Sequence, residues 1–562
     1  MRPSVLALAL LGCFDSASSL RPTDRGECDD GRAYETWCTP EGERCEVRGS
    51  ARTAACGGAE CAAAEAFVCR DPSSERECDG EGLALQQAIP AQRKLDLLLV
   101  MDNSGGLREA HGRLAEQLPV LMRALVLGSG GAQPLDSVRV GVVSSDMGTG
   151  GFDVLCPEPA FGDDGVLLRG SGCGRPDDPF VALEGASESE LEAFSNEVAC
   201  RLNLGTQGCG FEQPLEAMLK ALTPSGSSIV FTDGTRGHGD GVNADFVRDD
   251  ATLAVILLAD EDDCSASNPA VYNRDNSVVA PELNDPRLNL RCTSVLYGDD
   301  PDVVHPVRRY VDGLVALKEP RDLFFAAIVG VPPDLGPALA STNPDYDLLV
   351  GDPAETCTQG CRDARMVERP QSRTFGDPSL LEPSCDFDFG SGRANPPVRI
   401  AALARDLADE GARAIVQSIC QEDFSAAVSA ILRRLGEESN GLCVGRAIGV
   451  DRRGAVRCDL LEALPARGDV TRCIELAGRV DTGERTAEGG EICRMCQAAG
   501  DFANVVDPDL ACAQLDGGAW RYETSGAPCS RDAPQVLRFR SDAPPAASAT
   551  LRMACETPEL CR

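Results

Sequence analysis

Two aspartates stand at the ends of two strongly apolar runs in the chain. "LLLVMDNSGG" carries Leu97 to Met101 straight into Asp102, with Ser104 two residues on, and "LAVILLAD" ends in Asp260. A third polar group, Thr206, lies in the turn "NLGTQGCGFEQ", just ahead of a stretch with helical spacing. Carboxylates and hydroxyls with no His or Cys among them make a hard, oxygen-only donor set, the kind suited to Mg²⁺ or Mn²⁺. If the apolar runs are parallel strands of one sheet, these segments meet beyond the strands' carboxyl ends, where open α/β sheets bind ligands.

Other chemistry is thinly represented. Histidine occurs only at His111, His238 and His305, far apart in sequence, which argues against zinc sites and Ser-His-Asp triads. His111 is expected on the surface of the first helix. No zinc-protease, nucleophile-elbow or phosphate-loop pattern is present. "SSIVFTDG" offers Asp233 as a competitor to Asp260, but its apolar run is shorter and its flanks read as loop, so Asp260 is preferred. Asp262 and Asp263 offer a second cation position, although the plainer expectation is a solvated acidic loop. Cys493-Arg494-Met495-Cys496 lacks the following His of a heme attachment site, and its cysteines are expected in two separate disulfides.

The elements that must position these residues follow from periodicity. Apolar runs at 253–259 and 323–329 and a near-continuous one at 95–101, with alternation at 138–145, predict strands covered on both faces. Leu114, Leu118, Leu121, Met122 and Leu125 recur at helical spacing, with a bend expected at Pro119. Further helices are predicted at 215–222, 307–317, 400–407 and 424–435. Strands alternating with helices imply an α/β fold with a doubly wound, mostly parallel sheet. Long Gly-, Pro- and Asp-rich stretches at 147–200, 262–304 and 331–396 read as irregular insertions. They carry cysteines expected to pair locally: Cys156 with Cys173, Cys200 with Cys209, and Cys264 with Cys292.

At 562 residues the chain exceeds a single ordinary core. Its net charge of -36 excludes nucleic acid as a natural partner, since phosphate contacts need a basic face. Twenty-seven cysteines mark an oxidising compartment. The flanks at 14–93 and 441–562 are cysteine-rich, the second mostly β. At the start, "MRPSVLALALLGC" has a basic residue, an apolar core and Leu10-Leu11-Gly12-Cys13, as in a bacterial lipobox whose Cys13 is acylated. Phe14 rather than Asp follows Cys13, so the outer membrane is the expected destination; ordinary signal cleavage would instead leave a periplasmic or secreted protein. The apolar run is too short to span a membrane as a helix.

Asp102-x-Ser104, Thr206 and Asp260, in that order and on those elements, resemble the von Willebrand factor type A domain and its metal-ion-dependent adhesion site. The resemblance covers about 94–440. "VGVVSSDMGTGG", "GTQGCGFEQPLEA" and "DEDDCS" are similar to exported, cysteine-rich, predicted lipoproteins of Gram-negative bacteria. What the resemblance implies is a Rossmann-like sheet, Mg²⁺ or Mn²⁺ on Asp102, Ser104 and Thr206, Asp260 orienting a bound water, and a partner's exposed carboxylate completing the coordination. Gly106 departs from the pattern, standing where the family has a second Ser. The expected function is noncatalytic: protein–protein interaction or adhesion by a membrane-anchored protein. Two alternatives are a metal-independent scaffold presenting the cysteine-rich flanks and an exported hydrolase using carboxylates.

Overall fold

A computed structural model describes residues 93–335 apart from 128–134, 153–154, 171, 176 and 186–187; then 346–351, 362–386 apart from 374–375, 393–436, and most of 455–523 with short stretches either side. Before residue 93 it describes four strands, β1 (Asp24–Glu27), β2 (Ala33–Cys38), β3 (Cys45–Gly49) and β4 (Ala84–Ala88). The segment with Cys13 lies outside the described residues.

Six strands form the central sheet: β5 (Lys94–Met101), β6 (Ser137–Ser144), β7 (Val181–Glu184), β8 (Thr252–Leu258), β9 (Leu323–Val329) and β10 (Arg413–Ser418), in the spatial order β10-β9-β8-β5-β6-β7. All neighbours run parallel except β7, which is antiparallel on the edge. Because successive side chains alternate across a strand, β5 feeds two cores. Leu95, Leu97, Leu99 and Met101 pack with helices α1 (Arg108–Leu127), α2 (Glu188–Arg201) and, across the sheet, residues of the C-terminal helix 425–436. Leu98 and Val100 face the other way, toward α3 (Pro214–Leu222), α4 (Arg308–Leu317) and α5 (Val398–Asp409). The C-terminal helix is α6 (Ser425–Gly436), so each face carries three of these helices. Burying apolar surface on both faces stabilises the sheet by roughly 25 cal/mol per Å².

The chain differs from its sequence expectations in two places. The stretch 147–200 is only partly irregular, since it contains β7 and α2, whose buried Leu191, Phe194 and Val198 give a weak helical stripe. β10 was masked by its short apolar core, Ala414 to Val416.

Strands β11 (Gly441–Cys443), β12 (Cys458–Ala463), β13 (Arg479–Arg485), β14 (Glu491–Met495), β15 (Gln497–Ala499), β16 (Asp501–Val505), β17 (Trp520–Glu523), β18 (Val536–Phe539) and β19 (Thr550–Cys555) follow. Two compact units result. One comprises 90–445 with 523–541; the other comprises 1–89, 446–522 and 542–562. The second unit contains an antiparallel sheet in the order β13-β14-β12-β19-β4, so a strand from before the parallel sheet pairs with the last strand of all. Its interior holds a fully buried ion pair, Arg479 Nε to Glu462 Oε2 at 2.8 Å.

Seven disulfides join described cysteines, as an oxidising compartment allows. Cys264–Cys292 pairs as expected, and Cys493 and Cys496 fall into separate bonds, with Cys473 and Cys512. Two local pairings are corrected: the bonds are Cys156–Cys209 and Cys173–Cys200. Helix α2 is the reason. It carries Cys200 back to the 170–178 loop, where Arg201 donates to the carbonyls of Arg175 and Asp178 (2.8 and 2.9 Å) and Glu197 accepts from Gly174 N (2.8 Å). Among the described residues no helix is long and apolar enough to cross a membrane.

Candidate metal centre

Parallel register brings the first two predicted groups together. Met101 pairs with Leu258, and Asp102 N donates to Leu258 O (2.9 Å), so Asp102 and Asp260 leave adjacent strands at the same carboxyl edge. The 102–106 turn closes on itself through Ser104 N, which donates to Asp102 Oδ1 (2.8 Å). Ser145 Oγ, at the end of β6, reaches the same oxygen at 3.5 Å. Asp102 Oδ2 is buried and receives no hydrogen bond. Such an orphaned acceptor is costly in a folded protein, and the charge of Asp102 acts on the nearby carboxyl of Asp260. A divalent ion held by Asp102, Ser104 and Asp260 would satisfy it, so the residues present fit the metal that the sequence pattern implies.

Gly106 has φ +118°, a conformation that L side chains rarely adopt, and a Cβ there would sit 3.8 Å from Asp260 Oδ2. The second hydroxyl of the adhesion-site pattern is therefore absent, and this backbone would have to move to admit one. The turn that carries Thr206 is docked by Gly208 N donating to Asn103 O (2.8 Å) and anchored by Cys156–Cys209. A Cβ on Gly208 would collide with the Asn103 amide, which explains the glycine. Thr206 itself lines a small cleft with Arg108, His111 and Asn203.

Asp233 lies in an exposed turn, Thr232–Gly234, with φ +55°, and does not follow a strand of the sheet. His111 is buried rather than exposed, and its Nε2 is 2.6 Å from Asp102 O, so Nε2 carries the proton and holds the carbonyl of the acidic turn. Burial lowers its pKa.

Two further acids reach this edge. Glu212 is buried beside the β6 end because Gln213 N donates to Ser145 O (2.9 Å), and Cys264 N donates to Glu212 O (2.8 Å), tying in the 260–264 loop. Glu261 is exposed, and its Oε1 accepts from Asn395 Nδ2 at 3.3 Å. Burial pushes the Asp102 carboxyl up to about 6 against the hydrogen bonds from Ser104 and Ser145. Burial and the charge of Asp102 push Asp260 up to about 8. Burial, then the charges of Glu261 and Asp102, raise Glu212 well above the usual range. Among the described residues no Lys or Arg forms an ion pair with any of these four acids. Glu261 had a sequence signal, as part of "DEDD"; Glu212 had none, since one buried acid before a helix has no distinctive pattern.

The neighbouring acids behave differently. Asp262 accepts from Arg399 N (2.8 Å) and Ile400 N (3.2 Å), capping α5, and Asp263 takes Arg399 Nη2 (3.1 Å) and Leu215 N (3.0 Å). These bonds tie both acids into the fold, where the plainer sequence expectation was a solvated loop. Elsewhere Cys473, Asp481 and Glu491 come within reach of a common ion, but Cys473 is committed to its disulfide with Cys493.

No family model matches the chain, and no curated protein does. Among solved structures it is similar to proximal thread matrix protein 1 from the mussel byssus, at 10% identity and TM-score 0.22 over 64% of this chain and 51% of that one. A second is the three N-terminal domains of the type V pili tip protein Mfa5 from Porphyromonas gingivalis, at 9% identity and TM-score 0.21 over 86% of this chain and 66% of that one. The first match spans about half the length of the mussel chain. Similarity at these scores carries no argument about fold or function.

Proposed function

We propose that this is an exported, noncatalytic protein of the von Willebrand factor type A kind, with a doubly wound sheet whose carboxyl edge engages a macromolecular partner through a divalent ion. Asp102, Ser104 and Asp260 hold the ion, Mg²⁺ or Mn²⁺, with Thr206 on the adjoining turn; the ion supplies a Lewis-acidic position that an exposed carboxylate of the partner fills. Acylation at Cys13 keeps the molecule on the outer membrane. The observation that carries the reading is the buried Asp102 carboxylate, whose Oδ2 has no hydrogen-bond donor, at the end of a strand whose parallel neighbour leads into Asp260.

The test is thermal unfolding in EDTA and in millimolar Mg²⁺ or Mn²⁺. A native-state ligand at 100 times its Kd adds about 2.7 kcal/mol. The midpoint is expected to rise with metal in the starting protein and to stay put in Asp102→Ala. An equal midpoint in EDTA and metal for the starting protein defeats the reading and returns the fold to a metal-independent scaffold.

A further inference from the structure

Three segments converge on one buried lysine. Lys220, in the last turn of α3, is fully buried. Its Nζ lies 2.5 Å from Asp164 Oδ1 and 2.8 Å from Thr235 Oγ1, with the rings of Phe161 and Phe231 at 6.0 and 5.6 Å. The other oxygen of Asp164, Oδ2, is 3.0 Å from His238 Nε2; a carboxylate has no proton to offer, so Nε2 carries it. Backbone contacts hold these groups in place. Asp164 sits at φ +56°, and a Cβ on the next residue, Gly165, would fall 2.8 Å from Ala217 O in α3. His238 N donates to Lys220 O (2.9 Å). Buried acids elsewhere are paired with arginine: Asp96 with Arg248, Glu216 with Arg309, Asp263 with Arg399 and Glu462 with Arg479. The chain has only three lysines, and one of them stands here. An arginine would supply the charge; a primary amine can also be acylated.

We propose that Lys220 and Asp164 join in a side-chain amide cross-link, formed by the protein itself with His238 as proton donor. Burial raises the Asp164 pKa, but the hydrogen bonds and charges of His238 and Lys220 outweigh it and hold the carboxyl below its usual range, so the pair begins ionised. Nζ passes a proton to the carboxylate along their hydrogen bond, and the neutral amine attacks Cγ. The Nζ–Cγ bond forms and the Cγ–Oδ2 bond breaks. Oδ2 departs as water with the two protons that the ammonium has lost, one of them relayed through His238 Nε2, which ends as it began. Nothing is oxidised and no co-reactant is consumed. Fixed geometry removes the entropic cost of bringing amine and carboxyl together, and the buried Lys220 side keeps bulk water from reversing the step. The Asp164 side chain, 24% exposed, lets the product water leave. The bond fixes α3, which begins just after the Thr206 turn, to the insertion that follows β6, independently of any metal.

Peptide mapping by mass spectrometry of the reduced, alkylated full chain tests the cross-link. A branched peptide joining the Lys220 and Asp164 segments is expected, one water lighter than its two parts, with tryptic cleavage after Lys220 lost. Asp164 precedes Gly165, and closure of an Asp-Gly succinimide also removes one water, so the branch and not the mass decides. A linear peptide that trypsin cuts after Lys220, with or without that water, overturns the proposal and leaves an ion pair. Lys220→Arg keeps the charge and should give linear peptides alone; a branch on Asp164 that persists in it overturns the assignment to Lys220. In freshly synthesised His238→Gln, folded by circular dichroism, the branched peptide should accumulate about 100-fold more slowly. A rate equal to that of the starting protein overturns the role given to His238.

Discussion

Glu212 and Glu216 lie four residues apart around the start of α3, and Asp260 and Asp263 sit in one loop, yet each second member is treated differently from the first. Glu216 is gripped by Arg309 through two bonds (2.8 and 3.1 Å), and Asp263 by Arg399. Glu212 and Asp260 have no such partner among the described residues. A buried charge with an ion pair and backbone donors can support a fold, whereas one without them is a standing penalty. The chain thus neutralises its acids on the side facing α4 and α5 and leaves them bare at the strand ends. A penalty retained there makes physical sense where a cation from outside relieves it.

The comparison breaks first at Arg399. Replacing it with Met strands Asp263, which is fully buried, and should cost about 3–5 kcal/mol in urea unfolding, equally with and without metal. A loss as small as that of a surface substitution would erase the distinction between the two sets. Asp102→Asn should behave oppositely, keeping its stability in EDTA while losing the metal-dependent gain of about 2.7 kcal/mol expected at 100 times Kd. Calorimetry of Gly106→Ser tests whether the missing hydroxyl can be restored: with φ at +118° the serine should destabilise the metal-free protein by about 1–3 kcal/mol.

The smallest effect concerns His305, which faces Glu216 at 3.8 Å together with Arg309, Arg399 and Asp263. Burial, then the positive charge of Arg309, pushes it down to about 4. Between its ordinary value of about 6.5 and 4 the unfolded chain takes up a proton that the folded one refuses, so stability is present above 6.5 and falls as the pH drops through that window. His305→Gln should flatten this loss by on the order of 1 kcal/mol, read as the pH dependence of the unfolding midpoint.

Asp102 and Asp260 were legible because each ends a long apolar run, and β5 and β8 are buried on both faces. The helices α3 to α6 were legible from periodicity for the same reason. Glu212 and the role of His111 were not, because both depend on which strands become neighbours, information that no local window contains. The disulfide partners of Cys173 and Cys209 went astray with α2, whose polar sequence shows only three buried apolar side chains in a stripe. Asp262 looked like a solvated acid because the helix start it caps lies more than a hundred residues away.

The pairing of β4 with β19 sets an order of events. Residues 84–88 are synthesised well before their partner at 550–555. Closing so long a loop carries an entropic penalty that local sheet and helix formation avoids. The parallel sheet, all of whose strands lie between them, can assemble while β4 still waits. Cys458–Cys555, in register across β12 and β19, should therefore be among the last bonds to form during maturation.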